Sequence, residues 1–299
     1  MSARRPLPGS GRPGSGRPGS GRPATGRPAT GRPGRAAQGR PAGPGPGAVG
    51  DDLGGEQVEG RRAVRELLAA GRREVMEVVV AAEVEPAPIL EEIAALAAAA
   101  GVPVRRVPRA AVAGLARSEV PQGVVARAAP LRAVPLESLC TPGAFVVLLD
   151  GVTDPHNLGA VLRSACAAGA TGVVLPRRRA AHLGPAAVKA AAGAVEHLPV
   201  ALVSGSPAGL QGLGRAGLWR VGLDERGAAD LEEVAVLDQP VVLVVGAEGR
   251  GLAPLTSARC DVLARIPMPG PLPSLNVAAA AAVACFSVAR RRAGGTAEP

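Results

Sequence analysis

The chain has 299 residues, with 34 Lys+Arg, 25 Asp+Glu and a formal net charge of +9. Nine arginines and no acid fall in the first 50 residues, so residues 51–299 carry 25 basic and 25 acidic side chains and no net charge. The basic balance of the whole chain is therefore no sign that its folded part is a basic nucleic-acid binder. Only three aromatic residues, Phe145, Trp219 and Phe286, argue against RNA recognition by base stacking.

Residues 11–35 are five pentads (GRPGS, GRPGS, GRPAT, GRPAT, GRPGR), too rich in Pro and Gly for helix or sheet and without core-forming side chains. Residues 1–55 are read as a disordered tail, either a solvated extension or an electrostatic arm that raises RNA affinity without specificity. The arginines have no apolar stretch behind them, so a secretory signal is not expected.

Residues 56–130 read as a small α/β unit. Its expected elements are a helix over 63–70 stopped by Gly71, a strand over 75–81, a helix over 89–100 ending at Gly101, and strands over 102–107 and 124–127. This unit is poor in chemical groups and suits a substrate-binding role. A proline-marked linker is expected over 131–142.

From Phe145 onward the pattern is a larger α/β one. Strands are expected over 145–149, 172–175, 218–223, 241–245 and 262–266, with helices over 157–168, 185–192 and 276–292. Continuous apolar strands alternating with helices predict a parallel sheet covered on both faces, in a domain spanning 143–293, with a disordered C-terminus over 294–299. The closing helix is apolar nearly all round until Arg290-Arg291-Arg292, so it is expected to be buried in this domain or against a partner subunit. Its arginines suit a helix C-terminus, with RNA contact the other reading. The longest apolar run, 277–286, falls short of the roughly 20 residues of a membrane span. Four scattered cysteines without CxxC predict no zinc site and a reduced, cytoplasmic setting.

The chemistry is concentrated in three loops beyond strand C-termini, where parallel sheets place ligands. These are the loop and helix start 150–163, the segment 246–251 (Gly-Ala-Glu-Gly-Arg-Gly) and the proline-rich 266–276. Gly246, Gly249 and Gly251 form either a tight turn or a close backbone approach to a ligand. No GK[ST] P-loop is present. Pro267, Pro269, Pro271 and Pro273 make a rigid segment whose main chain suits wrapping an adenine or a ribose, and Ser274 or Asn276 caps the next helix or adds a polar group to the site. Arg163, six residues after Asn157 in an otherwise apolar helix, either snorkels to water or meets a phosphate, Glu248 or Asp150. His156 has no neighbouring nucleophile and reads as a loop histidine held locally.

Taken together, DPHNLGAVLRSA (154–165), GAEGRGL (246–252) and IPMPGPLPSLNVA (266–278) resemble the three motifs of the SpoU/TrmH family of S-adenosylmethionine-dependent RNA ribose 2′-O-methyltransferases, in the SPOUT superfamily. EGRRAV (59–64) and PQGVVA (121–126) resemble the ends of that family's N-terminal RNA-binding domain. The sequence departs from the family's pattern at Pro121, where His is usual, and at Ala278, where Ser is frequent. The resemblance implies a SPOUT domain with a deep trefoil knot, a homodimer with the active site near its interface, and an RNA partner. In two-domain members of this kind the target is a guanosine of 23S rRNA. Methylation of tRNA, an antibiotic-resistance rRNA methylation and a catalytically silent ribosome-assembly role stay open. It further implies a cofactor pocket of S-adenosyl-L-methionine around Gly246, Ile266 and Leu275. The implied catalytic group is Asn157, Arg163, Glu248, Ser274 and Asn276, with Arg163 as the cationic donor and Glu248 orienting it.

Overall fold

The computed structural model describes residues 52–118, 120–177 and 182–294. The pentad tail and residues 295–299 lie outside these described residues.

The first half of the described chain contains β1 (Asp52–Gly54), β2 (Gln57–Glu59), α1 (Arg61–Ala70), β3 (Val75–Ala81), α2 (Pro88–Ala99), β4 (Val104–Val107), α3 (Arg109–Leu115) and β5 (Val124–Ala128). Strands pair in the order β2-β5-β3-β4, antiparallel except for β3 with β4. Helix α1 buries Ala63, Val64, Leu67 and Leu68, one apolar stripe, and stops at Gly71, whose left-handed backbone returns its N–H to the Leu67 carbonyl.

The second half contains β6 (Leu131–Arg132), β7 (Phe145–Asp150), α4 (Pro155–Ala167), β8 (Gly172–Pro176), α5 (Pro185–Ala190), β9 (Val200–Val203), α6 (Ser206–Arg215), β10 (Trp219–Leu223), β11 (Ala229–Asp230), β12 (Val241–Gly246), α7 (Pro254–Ser257), β13 (Val262–Arg265) and α8 (Val277–Gly294). Seven strands form one parallel sheet in the order β11-β13-β10-β12-β7-β8-β9. Successive side chains of a strand face opposite ways, and the core divides accordingly. Phe145, Val147 and Leu149 of β7 join the cluster under α4, α5 and α8, whereas Val146 and Leu148 join the one under α6. Burial on both faces accounts for the unbroken apolar runs, as the sequence predicts.

Three expectations need correction. The tail does not extend to residue 55, because β1 pairs with β6 across the start of the expected linker. The rest of that linker is packed too: Val134 bridges to Ala201 beside β9, and a 3-10 turn over Leu136–Leu139 buries Leu139 against the sheet. Its prolines shape a bound strap. Helix α8 runs on to Gly294, past the expected end at residue 292; its burial in this domain is met on one face, and Val283 and Phe286 on the other are exposed. At its end Arg292 reaches across to the strand starts. It donates to the carbonyls of Gly143 and Ala144 at 2.8 Å and of Gln239 at 2.7 Å, and lies 5.5 Å above the Phe145 ring. Among the described residues no helix is long and apolar enough to cross a membrane.

The two sheets are joined by a buried ion pair. Arg73 Nη2 donates to Glu196 Oε1 at 2.6 Å and Arg73 Nε to Oε2 at 3.0 Å, while Nη1 donates to the carbonyls of Gly55 and Ala129. The side chains are only 7% and 1% exposed. Removing one partner strands a charge away from water, so Arg73→Ala is expected to cost about 3 kcal/mol or more in urea unfolding. Arg73→Met combined with Glu196→Leu should recover most of that loss.

Candidate functional site

Strands β7, β12 and β13 all end on the same edge of the parallel sheet, and the three motif loops leave from there. After β12, the Ala247 N–H donates to Gly251 O at 3.1 Å and the Gly251 N–H returns to Ala247 O at 2.9 Å. The glycine cluster is thus a tight turn. Gly249 and Gly251 have positive φ, and a Cβ on Gly246 would lie 2.2 Å from the Gly251 carbonyl carbon. Asp150 holds this loop from the neighbouring strand, accepting the Ala253 N–H at 2.8 Å. Sequence reasoning did not give Asp150 that part, since its partner lies 103 positions away.

At the start of α4, Asp154 caps the helix by accepting the His156 N–H, and Pro155 opens its first turn. His156 is exposed and lies in the first turn of α4 rather than in a loop; Asp154 holds its backbone N–H, and its imidazole has no partner among the described residues. Asn157 is then turned toward the other two loops. Its Nδ2 donates to Glu248 Oε2 at 3.2 Å, and its Oδ1 accepts from Asn276 Nδ2 at 3.2 Å. Asn276 Oδ1 in turn accepts the Ala278 N–H at 2.8 Å, so Asn276 caps α8 and joins the loops at once. Three of the five expected catalytic residues therefore form one hydrogen-bonded line, Glu248–Asn157–Asn276, across all three motifs.

The other two stand apart. Ser274 is exposed, with no hydrogen bond among the described residues. Arg163 does not pair with Glu248, which is engaged by Asn157, nor with Asp150, which is engaged by Ala253. Six residues of helix place it about 120° around the axis from Asn157, and it faces a cleft between the two sheets. The expectation that Glu248 orients Arg163 is not met within this chain.

The residues expected around a cofactor lie at the same sheet edge: Gly246 buried, Ile266 half-buried and Leu275 exposed. Between Ile266 and Leu275 no backbone group makes a backbone–backbone hydrogen bond among the described residues, and four prolines prevent the segment from folding onto itself. A rigid run of unpaired peptide donors and acceptors beside the apolar side chains of Ile266 and Leu275 fits an adenosyl group, which has a flat apolar face and hydrogen-bonding edges. Thiol chemistry finds no support here, because burial pushes the Cys285 and Cys260 thiols up to about 12.

Asn276→Ala removes both the cap and the link to Asn157, and is expected to lower stability by about 1 kcal/mol in urea unfolding. Asn276→Ser should restore the cap and leave the link broken.

Residues 144–286 match the model of the SpoU rRNA Methylase family, and residues 57–134 match that of RNA 2′-O ribose methyltransferase substrate binding. The 23S rRNA (guanosine-2′-O-)-methyltransferase RlmB of Pseudomonas putida is 39% identical over 244 residues, covering 79% of this chain and 97% of that protein. RlmB of Xanthomonas campestris is 43% identical over 213 residues, covering 69% and 85%. Among solved structures, the SpoU methyltransferase AviRb from Streptomyces viridochromogenes in complex with AdoMet aligns with a TM-score of 0.67 at 27% identity, covering 80% of this chain and 91% of that one. The AdoMet-bound rRNA methyltransferase from Sinorhizobium meliloti aligns with a TM-score of 0.66 at 31% identity, covering 78% and 86%. With both halves matched by their models and relatives aligned along nearly their whole length, the chain belongs to the SpoU rRNA methylase family.

Proposed function

We propose that the protein transfers the methyl group of S-adenosyl-L-methionine to a ribose 2′-hydroxyl of RNA, with a guanosine of 23S rRNA as the target. The observation that carries this reading is the line Glu248–Asn157–Asn276, which ties the three motif loops of this family together at the sheet edge. The guanosine target rests on the RlmB relatives. An rRNA substrate implies a cytoplasmic site of action.

When bound, S-adenosylmethionine supplies an electrophilic methyl on a sulfonium that is already a good leaving group. The backbone around Gly246, Ile266 and Leu275 would hold it. What the protein must add is position and charge. Asn157, fixed from both sides, has its amide committed to Glu248 and Asn276, so the three loops keep one relative placement during transfer. Ser274, exposed two residues before Asn276, offers a hydroxyl to the ribose. The Arg163 guanidinium has no protein partner among the described residues, so it holds a phosphate or stabilises the alkoxide that develops as the 2′-oxygen attacks.

The domain division supporting this reading is RNA binding by 56–130 and transfer by 143–293, with the strap 131–142 between them. A trefoil knot accords with the strand order, in which β13 enters between β10 and β11 before α8 returns across α4. The protein acts as a homodimer in this reading. The exposed apolar residues Val283 and Phe286 of α8, with Leu275 before it, offer the interface.

With methyl-labelled S-adenosylmethionine and unmodified 23S rRNA or tRNA, label is expected at one alkali-resistant linkage in 23S rRNA. Label confined to tRNA would overturn the substrate, and no label in either would overturn the activity. Arg163→Ala should lower turnover at least about 100-fold with cofactor affinity unchanged in calorimetry; normal turnover would remove Arg163 from the mechanism.

A further inference from the structure

The cleft that Arg163 faces measures about 1100 Å³ and is walled by both sheets' helices. From the small unit come Arg61, Arg62 and Arg109, and from the large one Arg163 and Lys189. It also holds Glu59, Glu83, Glu85 and Glu92, so a bare count leaves it almost neutral. What distinguishes its groups is which of them remain free to bond a ligand.

Three of the four acids have their oxygens occupied, Glu92 by a cation and Glu59 and Glu83 by neutral donors that leave their charge in place. Glu59 is fully buried and accepts from Gln57 Nε2 at 2.6 Å, from the N–H groups of Arg117 and Ser118, and from the Ser118 hydroxyl. Burial alone would raise its carboxyl, but the bonds from Ser118, Arg117 and Gln57 hold it below the usual carboxylate range. Glu83 caps α3 by accepting the Arg109 N–H at 2.8 Å, and Glu92 pairs with Arg65 at 3.1 Å. Glu85 alone has no partner among the described residues.

The cations are the reverse. Lys189 donates to Ser118 and Arg61 to the Gln122 carbonyl. The guanidinium groups of Arg62, Arg109 and Arg163 are exposed and make no hydrogen bond or ion pair among the described residues. Other arginines are exposed and unbonded too, but here three such guanidiniums, from three helices, line one cleft. They suit a polyanion with spaced phosphates, since each group can bind one phosphate oxygen pair.

We propose that this cleft is the RNA backbone track, in which Arg62 and Arg109 hold phosphates flanking the target nucleotide and Arg163 holds the one nearest it. The proposal rests on the methyl-transfer reading above and adds to it the path of the substrate. Helix α4 makes the connection: its first turn carries Asn157 at the cofactor loops, and Arg163 lies further along it in the cleft. RNA lying in the cleft is thereby delivered to the loop edge by one rigid element.

The test uses the full chain with in-vitro-transcribed, unmodified 23S rRNA, titrated over a range of KCl concentrations. Arg62→Ala with Arg109→Ala is expected to raise the RNA dissociation constant and KM about tenfold or more. The salt slope should become shallower by about 0.7 for each phosphate of single-stranded RNA that is no longer neutralised. Both side chains are exposed and unbonded, and unchanged S-adenosylmethionine affinity verifies the fold. Arg62→Lys with Arg109→Lys should restore part of the affinity, since the charge remains. Arg215→Ala, an exposed arginine of α6 outside the cleft, serves as the comparison. A double alanine variant with the affinity and slope of the unaltered enzyme would overturn the proposal, as would an equal loss in Arg215→Ala. If the unaltered protein methylates no RNA, the activity itself has failed, which is a separate result.

Discussion

Helix α4 can lie where it does only because residue 159 has no side chain. A Cβ there would stand 2.4 Å from the Ala187 carbonyl oxygen and 2.5 Å from the Ala190 Cβ, in the contact between α4 and α5. Backbone cannot retreat from such a contact as a flexible side chain can. The glycine therefore fixes both the depth and the rotation of α4 against its neighbour. Rotation matters because the helix serves two places. Asn157 is aimed at Glu248 and Asn276, while Arg163, about 9 Å further along the axis, is aimed into the cleft. One close approach thus sets the angle between the loop cluster and the arginine that α4 carries.

The same requirement of fixed geometry accounts for the joint between the two sheets. A buried ion pair adds little net stability over an apolar pair of the same size, since desolvation offsets most of the attraction. Its effect is directional. The Arg73 guanidinium meets Glu196, Gly55 and Ala129 at once, so the small sheet is held by a planar group with several bonds rather than by a sliding apolar face. The buried carboxylate of Glu59 does the same from the other side, gathering the chain at 117–118 and, through Ser118, Lys189 of α5. Small displacements far from the reacting atoms cost large factors in rate. A substrate-holding unit mounted on such bonds keeps its charges at a constant distance from the loop edge.

Much of this is legible in the sequence where one stretch carries its own signal. The runs Phe145–Leu149 and Val241–Val245 fit only strands with both faces covered, and Gly71 marks a helix end. The three loops stand out by glycine, proline and polar residues at strand ends. Elements that tertiary packing makes, against their own propensity, are not legible. Helix α6 contains Pro207, Gly209, Gly212 and Gly214; yet Gly209 packs against Val203 and Gly212 against Leu136, so closeness outweighs helix propensity. Strands β2 and β9 are only three and four residues long. The pairings at the site are beyond reach for another reason. Asn157 meets Glu248 across 91 positions and Arg73 meets Glu196 across 123, and no local pattern specifies such partners. On sequence alone Glu248 is available to Arg163; in the fold Asn157 already holds it.

Charge engagement, rather than charge number, governs what this surface can attract. Arg73 and Arg292 are used inside the fold, Arg220 pairs with Asp261, and Arg265 pairs with Asp230. Each such pairing removes a cation from the field that an approaching polyanion feels. In a body with equal numbers of acids and bases, long-range attraction is weak, and recognition depends on the guanidiniums left uncommitted at short range. A uniformly basic surface would hold RNA in any register, whereas on the proposed track three arginines on helices of fixed rotation favour a backbone whose phosphates match their spacing. Gly159, by setting the rotation of α4, is then as much a determinant of which RNA is held as the arginines themselves.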